Sequence, residues 1–150
     1  MEYICGVTFA PFACAGAFFK PGAKESLAMM KERTGANFVI FVPGGLQETP
    51  QSEEICFTSK ATMEDDELIE MIKYAKETGL RVALKPTVNC KNGTWRAHIN
   101  FFDEDVPCEP KWGNWFASYT AFQLHYAKIA EQHDCEMFIA GCEMVMSDRK

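Results

Sequence analysis

The chain has 150 residues, which is enough for one ordinary domain and too few for two. Hydrophobic residues make up 47% of it and charged residues 24%, a balance that excludes a disordered, collagen-like or coiled-coil protein. The formal net charge of −6 argues against a nucleic-acid-binding surface, and no apolar run reaches the roughly 20 residues that a membrane-spanning helix needs.

The start of the chain lacks the basic flank of a signal peptide, so we expect a cytosolic protein. The number of cysteines is odd and none of them forms a CxxC pair, which disfavours both a disulfide framework and a zinc ribbon. We expect mostly reduced, buried thiols, with one partly exposed thiol as the alternative. The sequence contains neither HExxH nor GxSxG, and we expect no metal and no cofactor. The cysteines are Cys5, Cys14, Cys56, Cys90, Cys108, Cys135 and Cys142.

The first part of the chain predicts two strands separated by one helix. Residues 3–9 are nearly all apolar, which predicts a short buried strand. Apolar positions at helical spacing predict an amphipathic helix over 24–33, with Gly35 at its C-cap. A second apolar run, 37–42, predicts another buried strand that ends at Pro43.

A polar loop over 47–60 precedes two more helices and two more strands. Thr62 is a plausible N-cap for the next helix because acidic residues crowd its first turn, and Gly79 ends that helix. The remaining predicted elements, in chain order, are a strand over 80–86, a helix over 115–132 and a strand over 135–141.

The order β-α-β-α-β-α-β indicates an α/β fold with a parallel sheet covered by helices. Segments after the strands are long and those after the helices are short, so any active site is expected at the C-terminal ends of the strands. The turn after the first strand, 10–16, has neither the GxGxxG nor the P-loop pattern. This disfavours a flavodoxin-like or other nucleotide-binding fold and favours half of a (β/α)8 barrel.

Polar and aromatic residues follow the last two predicted strands. Glu143 comes after the fourth strand, where a carboxylate would project into a barrel mouth; a solvated strand-end carboxylate is the alternative. Asn89 and Trp95 lie after the third strand, and Trp115 lies at the start of the last helix. Aromatic rings and amide groups are suited to binding sugars, although the tryptophans could equally seal the edge of the fold.

Four segments together match one known pattern: Lys85–Asn89, Asn92–Arg96, Trp115 with Tyr119, and Phe138–Met144. The pattern resembles the N-terminal half of glycoside hydrolase family 113, which comprises β-mannanase-like barrels in a clan of retaining glycosidases. The resemblance spans nearly the whole chain. It implies that residues 1–150 are the N-terminal half of a single TIM-barrel domain and supply its strands one to four.

The resemblance further implies a retaining endo-β-1,4-mannanase-like enzyme acting on β-linked mannan-type oligosaccharides or polysaccharides. Glu143 would be the general acid/base, which needs a raised pKa, and Asn89, Trp95 and Trp115 would bind the substrate. The family's nucleophile is a glutamate after the seventh strand, so we expect residues 1–150 alone to lack it and to be inactive. Thr87, Asn89 and Cys142 depart from the usual histidine, aspartate and asparagine, and the residues leave xylan and glucan open as substrates.

A non-catalytic sugar-binding or assembly module is the alternative function. Under either interpretation we expect no nucleic-acid and no membrane partner. A half-barrel would leave two strand edges and an apolar inner face uncovered, and we expect residues 1–150 alone either to be poorly stable or to self-associate through that open face.

Overall fold

The computed structural model describes residues 3–11, 15–101 and 109–147. The helices are α1 (Gly22–Thr34), α2 (Asp65–Glu77) and α3 (Glu109–Gln132), with a short 3-10 helix at Arg96–His98. Within those ranges no helix is both long enough and apolar enough to cross a bilayer. The expected cytosolic location stays a prediction. The strands are β1 (Gly6–Phe9), β2 (Phe38–Phe41), β3 (Gly44–Gln47), β4 (Arg81–Leu84), β5 (Thr87–Cys90) and β6 (Met137–Phe138).

The main sheet contains β1, β2, β4 and β6 in that spatial order, with every neighbouring pair parallel. Each of these strands is joined to the next through a helix, and the order in space follows the order in the chain. This is the arrangement of consecutive strands in a (β/α)8 barrel. The predicted α/β class with a parallel half-barrel sheet is confirmed.

The hydrophobic core lies between this sheet and the helices. Val39 and Leu84, from the two central strands, are fully buried in one cluster with Leu68 of α2 and Phe122 of α3. At the two outer strands of the described sheet, burial is lower: β1 alternates exposed and half-buried residues, and β6 is two residues long. In the described part of the chain each of them has a hydrogen-bonded neighbour on one side only. Fewer of their residues are therefore paired in the sheet, and the predicted strands over 3–9 and 135–141 are longer than the observed ones.

A second, two-stranded parallel sheet was not predicted by the sequence. It pairs β3 with β5, directly beyond β2 and β4. Pro43 and Pro86 interrupt both strands at matching places because proline has no N–H to donate, and pairing resumes where the Thr87 N–H donates to the Pro43 carbonyl at 2.9 Å. The glycine-rich start of β3 has low strand propensity, which is why the sequence suggested a loop there.

The starts of two helices also differ from prediction. The N-cap of α2 is Glu64 rather than Thr62, and Glu67 completes a capping box with it. The Thr62 hydroxyl instead donates to the Ser59 carbonyl at 2.8 Å. Helix α3 starts six residues earlier than predicted, at Glu109, and a proline in its second position is tolerated because first-turn N–H groups have no partner inside the helix.

A buried carboxylate in α2 binds the backbone of residues 16–18, which follow β1 in the chain. Glu67 is 0% exposed. Its two oxygens accept from the backbone N–H groups of Gly16 and Phe18, each at 2.9 Å, and from Glu64 at 2.8 Å. Three N–H donors compensate for the loss of water around the charge, so this contact holds the start of α2 against the segment that follows β1.

The cysteines are less buried than expected. The five in the described ranges are free thiols, as predicted, but only Cys90 is buried and the other four are partly exposed. The prediction of mostly buried thiols is therefore wrong for these residues. Cys14 and Cys108 lie outside the described residues.

Gly45 of β3 provides a direct test of this packing. A Cβ at Gly45 would lie 2.7 Å from Ile55 Cγ2 and 2.9 Å from the buried Phe122 ring, whereas a Cβ at Gly44 would meet nothing within 4 Å. We expect Gly45→Ala to lower the free energy of unfolding by about 1–3 kcal/mol because neither neighbour can move freely. Urea denaturation should show a much smaller change for the control, Gly44→Ala. Equal effects of the two changes would contradict the close approach.

Candidate functional site

A cavity of about 330 Å³ opens at the C-terminal ends of the strands. Ala10 follows β1, Val42 follows β2, and Thr87 and Asn89 belong to β5, so several strand–helix units contribute to it. The second sheet forms one wall through β3 and β5. The described structure thus has a concave surface at the edge of the sheet where the sequence analysis expected a site.

Arg96 lines this cavity, and Glu143 contacts Arg96 at the cavity's open edge, which we call the mouth. The Glu143 carboxylate oxygen Oε2 accepts a hydrogen bond from the Trp95 indole Nε1 at 3.1 Å and an ion-paired hydrogen bond from Arg96 Nη1. Two residues that the sequence analysis selected from different loops, Glu143 and Trp95, are therefore in direct contact. Both are accessible: Trp95 is 52% exposed and the Glu143 side chain 48%.

The backbone at Glu143 is in the left-handed region, with φ of 58°. Few residues other than glycine adopt this conformation without a cost, and such residues concentrate at functional sites. The chain reaches this position from β6 through Ala140, whose carbonyl accepts a hydrogen bond from the Tyr119 hydroxyl of α3 at 2.8 Å. Helix α3 thus supports the segment that presents the carboxylate.

Arg96 connects the remaining candidate to the cluster. Its Nε donates to the Val88 carbonyl at 2.7 Å and its Nη2 donates to the Asn89 side-chain oxygen at 2.6 Å. Asn89, Trp95 and Glu143 are consequently parts of one hydrogen-bonded group centred on a guanidinium. The sequence places Arg96 in the matching segment Asn92–Arg96 but assigns it no role in the site; its place next to Trp95, in a chain with an acidic balance, is the signal that could have identified one.

Trp115 occupies a different environment from Trp95. It is 1% exposed, it stacks on Tyr119 with ring centroids 4.9 Å apart, and its Nε1 donates to the buried Gln47 side chain at 3.0 Å. In the structure this ring is part of the core behind the mouth, and no open face of it is available to a sugar. Its position favours the sealing role that the sequence analysis kept as the alternative.

The surroundings of Glu143 lower the pKa of its carboxyl below the usual range. The hydrogen bond from the Trp95 indole is the largest cause of the lowered pKa. Partial loss of solvent, which comes next, acts in the opposite direction, and the hydrogen bond and positive charge of Arg96 and the charge of Lys85 add to the lowering. The acid/base role that the sequence predicts for Glu143 calls instead for a raised pKa. In the described part of the chain that expectation is wrong, because the Trp95 indole donates a hydrogen bond to the exposed carboxylate and cations act on it.

The other titratable residues form no metal site in the described ranges. No group of three or more His, Cys, Asp or Glu side chains there is arranged to hold a metal ion. His125 lies away from the mouth, where its Nε2 is 2.8 Å from Asp65 Oδ1 in the first turn of α2.

Comparison with known proteins places this geometry in one family. The family model described as Glycoside Hydrolase Family 113 matches residues 7–150. A solved GH113 β-1,4-mannanase, determined as a complex, is 56% identical with a TM-score of 0.93, and the match covers 100% of this chain and 48% of that one. The GH113 β-mannanase AaManA from Alicyclobacillus acidocaldarius, in complex with ManMIm, is 38% identical with a TM-score of 0.90, covering 99% and 47%.

The chain therefore spans about half the length of these solved relatives. Among curated proteins, none matches it.

Proposed function

The chain belongs to glycoside hydrolase family 113, and on that premise we propose that its 150 residues form the acid/base half of a retaining β-1,4-mannanase-like active site. The observation that carries this proposal is the contact between Glu143 and Trp95 at the mouth of the parallel strands. It sets a group able to carry a proton beside an exposed aromatic ring on which the apolar face of a sugar can stack.

In the proposed reaction Glu143 acts twice. As an acid it gives a proton to the glycosidic oxygen while the bond from that oxygen to the sugar carbon breaks; as a base it then takes a proton from the water that attacks the same carbon. Trp95 offers an indole face to the sugar. Asn89 offers its amide N–H donors, since its oxygen already accepts from Arg96.

A retaining mechanism also requires a second carboxylate about 5–5.5 Å from the first, which bonds to the sugar carbon as the glycosidic oxygen leaves and is then displaced by the water. In the described residues the charged groups that act on Glu143 are the cations Arg96 and Lys85. We therefore assign the nucleophile to a second half-barrel. The solved relatives are about twice as long as this chain, which is the length that a second half-barrel requires. For residues 1–150 alone, the second candidate function is sugar binding without hydrolysis, and the exposed ring of Trp95 supports it.

The change Glu143→Gln separates catalysis from binding. In a hybrid that joins residues 1–150 to the remaining part of the 56% identical mannanase, we expect this change to lower kcat by about 100-fold or more, because it removes proton transfer. Binding of β-1,4-mannan oligosaccharides, measured by calorimetry, should remain nearly unchanged. The control is Glu136→Gln, at the other end of β6, where the carboxylate pairs with Arg81. Full activity of the Glu143 variant would rule out Glu143 as the acid/base.

The open sides of the half-barrel support a proposal about its assembly. In the described part of the chain β1 and β6 each leave one strand edge unpaired, and apolar side chains lie beside both edges. Tyr3 is 82% exposed near β1, and Met137 of β6 is 39% exposed. Exposed strand edges with apolar neighbours tend to pair with further strands. We propose that a second half-barrel covers them and that, without one, copies of residues 1–150 associate with each other.

Sedimentation velocity of residues 1–150 tests this assembly proposal. We expect the mean sedimentation coefficient to rise with protein concentration because the two edges pair between copies. The matched comparison is the full-length hybrid, in which the edges are covered and the coefficient should stay constant. A half-barrel that remains monomeric over the same concentrations would contradict the proposal.

A further inference from the structure

The side chain that fixes Glu143 is itself fixed to the second sheet. Arg96 uses Nε on the Val88 carbonyl and Nη2 on the Asn89 side chain, which leaves Nη1 directed at the Glu143 carboxylate. Its side chain is only 15% exposed, whereas that of Glu143 is 48% exposed. Three hydrogen bonds therefore fix the planar guanidinium, and the carboxylate is the more exposed partner of the pair.

From this arrangement we propose that Arg96 is a positioning residue for Glu143, holding the carboxylate at the mouth against the Trp95 indole. The proposal rests on the proposed function, in which Glu143 is the acid/base. The left-handed backbone at Glu143 does not by itself direct the side chain toward Trp95. The hydrogen bond from the Arg96 guanidinium directs it there. Arg96 is in turn bonded to β5, and pairing with β3 fixes the position of β5.

The same contact has a chemical consequence for the proposed reaction. When Glu143 gives its proton to the glycosidic oxygen it becomes a carboxylate, and Arg96 stabilises that charged product. When Glu143 takes the proton back from water, the hydrogen bond to Arg96 is weakened again. Arg96 therefore strengthens Glu143 as an acid and reduces the fraction that is protonated at neutral pH.

The groups that face Glu143 determine the direction of the titration. Trp95 and Arg96 face it from the loop after β5, Lys85 acts on it from the end of β4, and Tyr119 of α3 holds the segment before it through Ala140. The indole and the two cations all favour the charged carboxylate. Since the folded pKa of Glu143 is lowered, these contacts stabilise the fold above the ordinary glutamate pKa of about 4.3 and lose that effect as the pH falls through the folded value.

Carbon-13 NMR of residues 1–150, labelled at glutamate side-chain carboxyl groups, measures the pKa of Glu143 directly. We expect a titration midpoint below about 4.3 in the unmodified chain. Arg96→Met should raise the midpoint toward the ordinary glutamate value, and Arg96→Lys should raise it less, because lysine keeps the positive charge but lacks the planar fork of N–H donors. The matched control is Lys91→Met, which removes a cation from the same loop that pairs with Glu48 and does not act on Glu143, so it should leave the midpoint unchanged.

The Trp95 indole N–H resonance provides the orientation readout in the same samples. In the unmodified chain it should shift with the Glu143 midpoint, and in Arg96→Met that coupled shift should be lost as the carboxylate moves away. An unchanged midpoint in both Arg96 variants, or an equal rise in Lys91→Met, would overturn the proposal. Since no hydrolysis is measured, a failed acid/base assignment for Glu143 would appear separately, as activity retained by Glu143→Gln in the hybrid.

Discussion

One polar contact joins the two loops on which the site depends. The Glu143 carboxylate, after β6, binds the Trp95 indole and the Arg96 guanidinium, after β5. Parallel strands bring their C-terminal ends to the same edge of a sheet, so residues 48 positions apart in sequence can meet there. Without this contact the mouth would contain an exposed carboxylate on a left-handed backbone with nothing to direct it.

The second sheet provides the support for that contact. β3 and β5 continue past the prolines that end β2 and β4, and their pairing fixes Val88 and Asn89, which hold Arg96. Behind them the close approach of Gly45 to Phe122 anchors β3 on α3. The same helix bonds the segment before Glu143 through Tyr119. Glu143 and Arg96 are therefore both connected to helix α3, the first through Tyr119 and the second through β5 and β3.

The sequence predicted the features that depend on periodicity and chain order: four parallel strands, three helices, and Glu143 and Trp95 at one edge. It missed features that depend on contacts distant in sequence. Strand β3 was missed because its two glycines have low strand propensity. The N-cap at Glu64 was missed because Thr62, two residues earlier, is the more common type of cap residue. The role of Arg96 was missed because its partners Val88, Asn89 and Glu143 meet only in the folded chain. The burial of Trp115 could not be predicted because the partner of its indole, Gln47, lies 68 residues away.

The central claim is that Glu143 is the acid/base of a retaining site, and chemical rescue tests it most directly. The hybrid barrel carrying Glu143→Ala would be given a dinitrophenyl β-mannoside, whose leaving group needs no proton, together with azide. The account predicts that azide restores turnover and that the product is a mannosyl azide with retained β configuration. Turnover that does not respond to azide, or an azide product of inverted configuration, would contradict it.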